Sequence, residues 1–156
     1  MTEYERGLVL FVREAKHNAY ASGSGSKVEP SRPGAKDIPY ANGEFAYLDS
    51  YYGELNFIGQ EIVWRSGQAV WGMNYHGITT DPVPDFPEFL LAALRNAPAE
   101  APYRGPESYT DGEFENFEYT CSWSGGFGNF AGQERIAYKG KEIYTLKFHG
   151  GRVDYA

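Results

Sequence analysis

The sequence repeats. Residues Phe57 to Gly77, FIGQEIVWRSGQAVWGMNYHG, align without a gap on Phe130 to Gly150, FAGQERIAYKGKEIYTLKFHG, at a constant offset of 73 residues (130 − 57). Seven of the twenty-one aligned positions are identical, where unrelated segments of ordinary composition share about one or two. A shorter match precedes each segment: YANGEF at Tyr40 to Phe45 answers YTDGEF at Tyr109 to Phe114. A chain that spells one pattern twice folds most simply as one structural unit built twice. The expectation is a single domain over residues 1–156, made of two units at about 1–80 and 81–156. At 156 residues the chain can bury one good core but hardly two independent ones.

Apolar periodicity names the parts of each unit. Leu8, Phe11, Val12 and Ala15 fall at helical spacing with Arg13, Glu14 and Lys16 between them, which predicts a helix from about Thr2 to His17. The stretch Ala21 to Pro39, full of Gly, Ser and Pro, predicts a loop whose GSGS core has the composition of a flexible linker. Gly43–Tyr52, Phe57–Trp64 and Ala69–His76 then read as strands, the last two joined around Ser66-Gly67. The second unit offers a helix of roughly Pro87 to Asn96, with Asp85 as candidate N-cap. Strands follow at Phe114–Trp123, Phe130–Tyr138 and Glu142–His149, with Lys139-Gly140 at the matching turn. Alternation is clearest in the final strand of each unit, where Trp71, Met73 and Tyr75 share one face, as do Tyr144, Leu146 and Phe148. The expected fold is α+β: a duplicated helix plus three-strand antiparallel unit, its two helices packed on one face of a twisted, mainly antiparallel sheet.

Composition narrows the functional classes. A net charge of −7 argues against broad, non-specific binding to nucleic-acid backbones. The N-terminal MTEYERGLVLFVREAKHN holds a five-residue apolar run between charged flanks, too short for a signal peptide or a membrane span. One cysteine, Cys121, cannot form an internal disulfide, and no Cys/His cluster has metal-ligand spacing. A reducing compartment, the cytoplasm, is the expected home, and neither metal nor cofactor is implied.

Several residues are candidates for chemistry. SGSGSK at Ser22–Lys27 has the composition of a phosphate cradle but follows a helix and lacks the Walker spacing. Ser31, Arg32 and Lys36 could hold an anion together, or could be a solvated turn. Glu61 and Glu134 occupy equivalent GQE triplets, so a pseudo-twofold arrangement could pair them as acid and base; the alternative is that each satisfies an Arg or backbone groups. His76 and His149 also correspond, each followed by Gly, as catalytic residues or as strand ends. The first unit is richer in large rings: Trp64 stands where the second has Ala137. Tyr51, Tyr52, Trp64 and Trp71, with Arg104 as a charged contact, could therefore line a pocket for a small organic ligand. The leading expectation is a small-ligand-binding or regulatory module whose site draws on Arg32, Lys36, Tyr51, Tyr52, Glu61, Trp64, Trp71 and Arg104. The alternatives are an enzyme using Glu61/Glu134 or His76/His149, and a protein that docks on a protein partner or inhibits it.

EAKHNAYASG, VEPSRPGAKDIPYANGEFAYLDSYYG, FIGQEIVW, VWGMNYHG, YRGPESYTDGEF and YKGKEIYTLKFHGG together resemble a bacterial family, domain of unknown function 5680. The resemblance spans nearly the whole chain. Members of that family stand alone or follow an N-terminal helix-turn-helix in transcription regulators, so the resemblance implies a stand-alone relative of a sensor domain. It brings no reaction and no catalytic residues, and the chain shows no DNA-binding segment before the domain.

Overall fold

The computed structural model describes residues 1–21 and 28–156, and the Ser22–Lys27 candidate lies outside the described residues. Helix α1 spans Glu3–Ala21. It starts on a capping box: the Thr2 hydroxyl accepts from the Glu5 N–H at 3.1 Å, and the Glu5 carboxylate accepts from the Thr2 N–H at 2.8 Å. The helix runs four residues past the expected His17, because Ala19 adds a further turn to its apolar stripe and is buried beside Ile38 and Leu94. Strands β1 (Lys36–Asn42), β2 (Phe45–Gly53), β3 (Asn56–Arg65) and β4 (Gln68–Thr79) follow, then α2 (Phe86–Leu94), then β5 (Ser108–Tyr109), β6 (Phe117–Gly126), β7 (Asn129–Tyr138) and β8 (Lys141–Arg152).

All eight strands form one antiparallel sheet in the order β1-β2-β3-β4-β8-β7-β6-β5. The class is thus α+β, with four strands after each helix where three were expected. Strand β1 lies partly inside the segment read as loop. Its residues Lys36–Pro39 hide behind Pro39, which removes a ladder N–H and is tolerated because β1 is an edge strand. Val28 adds a single bridge to Asp37. Strand β5 is two residues long and carries no readable periodicity.

The hairpins close as their turn residues demand. Ser66-Gly67 (φ 50° and 85°) and Lys139-Gly140 (φ 51° and 79°) are two-residue turns with positive φ at both positions, the type I′ pattern. Each hairpin shifts register at one place, between Val63 and Trp64 and between Ile136 and Ala137. Helix α2 departs from expectation at its start. Asp85 sits at the N-cap with φ 72°, but its side chain makes no cap hydrogen bond, and the Phe89 N–H donates to the Asp85 carbonyl instead.

In an antiparallel sheet, directly opposed residues share a face. Tyr47, Val63, Trp71, Met73, Tyr75, Tyr119, Ile136, Tyr144, Leu146 and Phe148 are buried in one cluster with Leu8, Phe11, Val12 and Ala15 of α1 and Phe86, Phe89 and Ala93 of α2. Phe11 stacks on Phe45 at 5.1 Å and Phe89 on Phe117 at 5.0 Å. Each buried large apolar side chain contributes roughly 1.5–3 kcal/mol, so this cluster dominates stability. Along β4 the residues between those buried ones, Asn74, His76 and Ile78, are half-buried or exposed, and along β8 Lys147 and His149 are exposed. No helix among the described residues is long and apolar enough to cross a membrane.

Candidate functional site

Glu61 and Glu134 both point into the core, and each meets a cation of its own. The Lys16 ammonium lies 3.0 Å from Glu61 and also donates to the Tyr103 carbonyl at 2.6 Å, while the Tyr47 hydroxyl donates to Glu61 at 2.5 Å. Arg104 reaches Glu134 through Nε at 3.2 Å and Nη2 at 2.7 Å, and the Tyr119 and Tyr144 hydroxyls each donate to the same carboxylate at 2.6 Å. Burial holds the Lys16 ammonium below its ordinary pKa, against the opposing pull of Glu61. Burial, followed by the charge of Glu134, pushes the Tyr119 and Tyr144 phenols well above theirs. Buried charges survive when paired and hydrogen-bonded in this way.

Asp49 adds a third carboxyl to this layer. It stands opposite Glu61 across β2 and β3, accepts from the Tyr75 hydroxyl at 2.6 Å, and keeps partial exposure. Burial first, and the Glu61 charge second, push it up to about 7. The corresponding place across β6 and β7 is Cys121, opposite Glu134, and Phe148 has no hydroxyl to match Tyr75. Tyr75 lies so closely over Gly59 that a Cβ there would sit 2.3 Å from the ring. Sequence reasoning passed over Asp49, although alternation from Tyr47 places it on the core face.

The eight predicted ligand residues divide between the two faces. Consecutive strand residues point oppositely, so Tyr51 faces the core side with Lys36, whose ammonium sits 5.6 Å from its ring and 3.3 Å from Glu54. Tyr52 lies on the other side. Trp71 is fully buried, stacked on Phe127 at 4.9 Å, with its indole N–H donating to the Phe127 carbonyl at 2.9 Å. Arg104 is occupied by Glu134, with its guanidinium 5.4 Å from the Tyr75 ring centre. Glu61 is occupied by Lys16, and Trp64 is half-buried at the β3 register shift. Arg32 and Tyr52 alone among the eight line one common cavity.

That cavity is a groove of about 420 Å³ on the solvent face of the sheet, within the range of small-ligand sites. Its wall includes Arg32, Tyr52, Ile58, Gln60, Asn74, His76, Lys147 and His149. The register puts His76 opposite Lys147 and Asn74 opposite His149, so the two histidines predicted as a pair are diagonal neighbours across β4 and β8. Gln60 Nε2 donates to Asn74 Oδ1 at 2.8 Å, fixing both amides. Among the described residues no carboxylate lines the groove, although the chain carries 21 acidic residues against 14 Lys and Arg. Asp37 stands at the edge of the groove, opposite Ser50 across β1 and β2, buried and accepting from Ser31 N and Ser50 Oγ at 2.9 and 2.7 Å; against the effect of burial, these hydrogen bonds and then the charge of Arg32 hold its carboxyl below its ordinary pKa. Gln60, Asn74 and Lys147 were missed in the sequence because polar residues on an open sheet face look like ordinary solvated positions.

A larger cavity of about 670 Å³ lies between the start of α1, the Arg65–Gln68 turn and the C-terminal residues. Its guanidinium groups are engaged: Arg65 contacts Glu44 at 3.2 Å and covers the Tyr4 ring at 4.5 Å, and Arg152 lies 3.8 Å from Asp154. Among the described residues no three His, Cys, Asp or Glu side chains cluster as metal ligands would.

The described residues define an α+β fold built on one open, eight-stranded antiparallel sheet. The family model described as Domain of unknown function (DUF5680) matches residues 49–153, and the chain belongs to that family. No curated protein and no solved structure matches the chain.

Proposed function

We propose that this protein is a small-ligand-binding module of regulatory, sensor-like type, and that its ligand is an anion of modest size seated in the solvent-face groove. One observation carries the reading: Arg32, Lys147, His76 and His149 line a single groove whose described lining holds no carboxylate, with Asp37 only at its edge, in a chain of net charge −7. The fixed charges of Lys147 and of Arg32, the latter shared with the buried Asp37, lower the cost of bringing an anion out of water. Tyr52 and the 56% exposed Ile58 supply an apolar wall, which suits a carboxylate or phosphate on a small organic body. The resemblance to domains carried behind DNA-binding heads gives such binding a use, as a reporter of metabolite level. A cytoplasmic setting fits one buried, unpaired cysteine.

We further infer that the two halves are copies of one unit within a single domain, with both helices on the core face. The turns, register shifts and core glutamates recur at the 73-residue offset. Positive-φ Gly53 and Gly125 both pass a strand-turn carbonyl that a Cβ would overlap. The acid–base alternative has weaker support, because Glu61 and Glu134 are each held by a cation and tyrosine hydroxyls inside the core.

Thermal-shift and calorimetric titrations with inorganic phosphate, citrate, benzoate and phenyl phosphate test the reading. At a hundredfold excess over Kd a ligand stabilises by about 2.7 kcal/mol. The expected result is saturable stabilisation by at least one anion, removed by Lys147→Glu without a change in the unliganded Tm. No stabilisation by any anion, or undiminished binding to the variant, overturns it.

A further inference from the structure

A titratable carboxyl lies directly beneath the groove, on the core side of the sheet. Gly59 belongs to the groove wall, and a Cβ on Gly59 would meet the Tyr75 hydroxyl at 2.3 Å on the opposite face. That hydroxyl donates to Asp49 at 2.6 Å. Only the peptide layer of β3 therefore separates the Tyr75–Asp49 pair from an occupant of the groove. Among the described residues two buried cations, Lys16 and Arg104, serve the three carboxyls of this layer, and they are engaged by Glu61 and Glu134. Asp49 is the carboxyl left over.

The second half of the chain shows what the fold alone requires. Gly132 corresponds to Gly59 at the 73-residue offset, and a Cβ there would meet the Phe148 ring at 2.4 Å. A groove lined by Ser122 and Gln133 lies over it, as Ser50 and Gln60 line the first. Ring, glycine and groove thus recur in both halves. The hydroxyl and the carboxyl do not, because Phe148 stands for Tyr75, and Cys121, opposite Glu134, stands for Asp49, opposite Glu61.

We propose that an anion in the groove and a proton on Asp49 bind cooperatively, each raising the affinity for the other. The proposal rests on the anion-binding reading above and adds a proton to it. Glu61 faces Asp49 from β3, Tyr75 from β4, Lys16 from α1 and Arg104 from the loop after α2, while β1 sets the apolar Ile38 opposite. Burial first, and the Glu61 charge second, raise the Asp49 carboxyl to about 7, against the Tyr75 hydrogen bond and the two cations. Asp37, at the edge of the groove, is held below its ordinary pKa and keeps its charge over the same range. Asp49 is therefore neutral in mild acid, and above about pH 7 it places a negative charge behind the groove. Across about 10 Å, at an effective dielectric constant of about 20, one such charge changes anion affinity by about tenfold, which salt screening reduces to a few-fold. Linkage makes the effect reciprocal, so a bound anion draws a proton onto Asp49.

Calorimetric titration of phenyl phosphate and benzoate into the full chain, from pH 5.5 to 8.5, tests the coupling. Asparagine keeps an oxygen for the Tyr75 hydroxyl and is neutral at every pH. Asp49→Asn is expected to match the unsubstituted protein at pH 5.5 and to bind at least threefold more tightly than it at pH 8.5. Ionisation of the ligands and of the groove histidines His76 and His149 acts on both proteins and cancels in that ratio. Carbon-13 NMR of the aspartate carboxyls reads the same coupling without a variant: the Asp49 midpoint is expected to rise by about half a pH unit or more when the groove is saturated with either anion. A ratio that stays constant from pH 5.5 to 8.5, or an Asp49 midpoint that the ligand leaves in place, overturns the coupling while anion binding stands. No binding of either anion at any pH overturns the anion reading, and the coupling with it.

Discussion

Arg104 and Glu134 meet in the core with Nη2 2.7 Å from Oε1, and the side chains are only 6% and 0% exposed. The pair sits 30 residues apart in the chain, and the Tyr119 hydroxyl, which also donates to Glu134, accepts the Gly105 N–H at 2.8 Å. Glu134 therefore ties the loop before β5 to β6, β7 and β8 through one carboxylate.

Removing one member of this pair leaves a buried charge without its counter-charge. Glu134→Ala and Arg104→Met are each expected to destabilise by about 3–5 kcal/mol, whereas the double variant loses much less than the sum. Urea unfolding of the four proteins, read by tryptophan fluorescence, measures the coupling. Additive losses would show that the two groups act independently.

The pH dependence of stability should carry the signature of Asp49. Its carboxyl is raised to about 7 in the folded protein, against about 3.9 in an unfolded chain. The folded state thus binds the extra proton between those values, so the contribution is fully present below the unfolded pKa and is lost as pH rises through about 7. Melting curves from pH 5 to 8.5 should show Tm falling toward the alkaline end, with a flatter profile for Asp49→Asn. Parallel profiles for the two proteins would assign the slope to other groups.

Cys121 should be silent in the native state. Burial, then the Glu134 charge, pushes its thiol up to about 12, which at pH 8 leaves about one part in 10⁴ as thiolate. A chromogenic disulfide reagent is expected to modify it only as fast as the protein opens, and at once in denaturing urea. Fast stoichiometric reaction without denaturant would place the thiol at the surface.

Much of the fold was legible in alternation and turn chemistry. Trp71, Met73 and Tyr75 are buried on one face as their spacing implied, and Ser66-Gly67 and Lys139-Gly140 make the turns expected of them. Strand β1 escaped because Pro39 and its Gly- and Ser-rich approach read as loop, and β5 because two residues carry no period. The short match of Phe114 to Phe45 misleads as well, since Phe45 is opposite Arg65 but Phe117, not Phe114, is opposite Tyr138. The extra residues between β5 and β6 shift the frame by three (117 − 114). The site was less legible for a different reason. Grouping Tyr51 with Tyr52, and Trp71 with Arg104, weighed residue type over strand parity, and parity sends the first two to opposite faces. The partners of Glu61 and Glu134 come from α1 and from the loop after α2, a juxtaposition that only the closed fold supplies.

An eight-stranded open sheet has two rims, and each could in principle recruit a neighbouring chain into an endless ladder. Here one rim is β1, interrupted by the missing N–H of Pro39, and the other is β5, only two residues long. At β1 the missing N–H breaks the row of donors that an added strand would use. The longest open stretch of the rim lies instead along β6, where β5 covers only Tyr119 and Thr120, so a neighbour that extended the ladder would do so there.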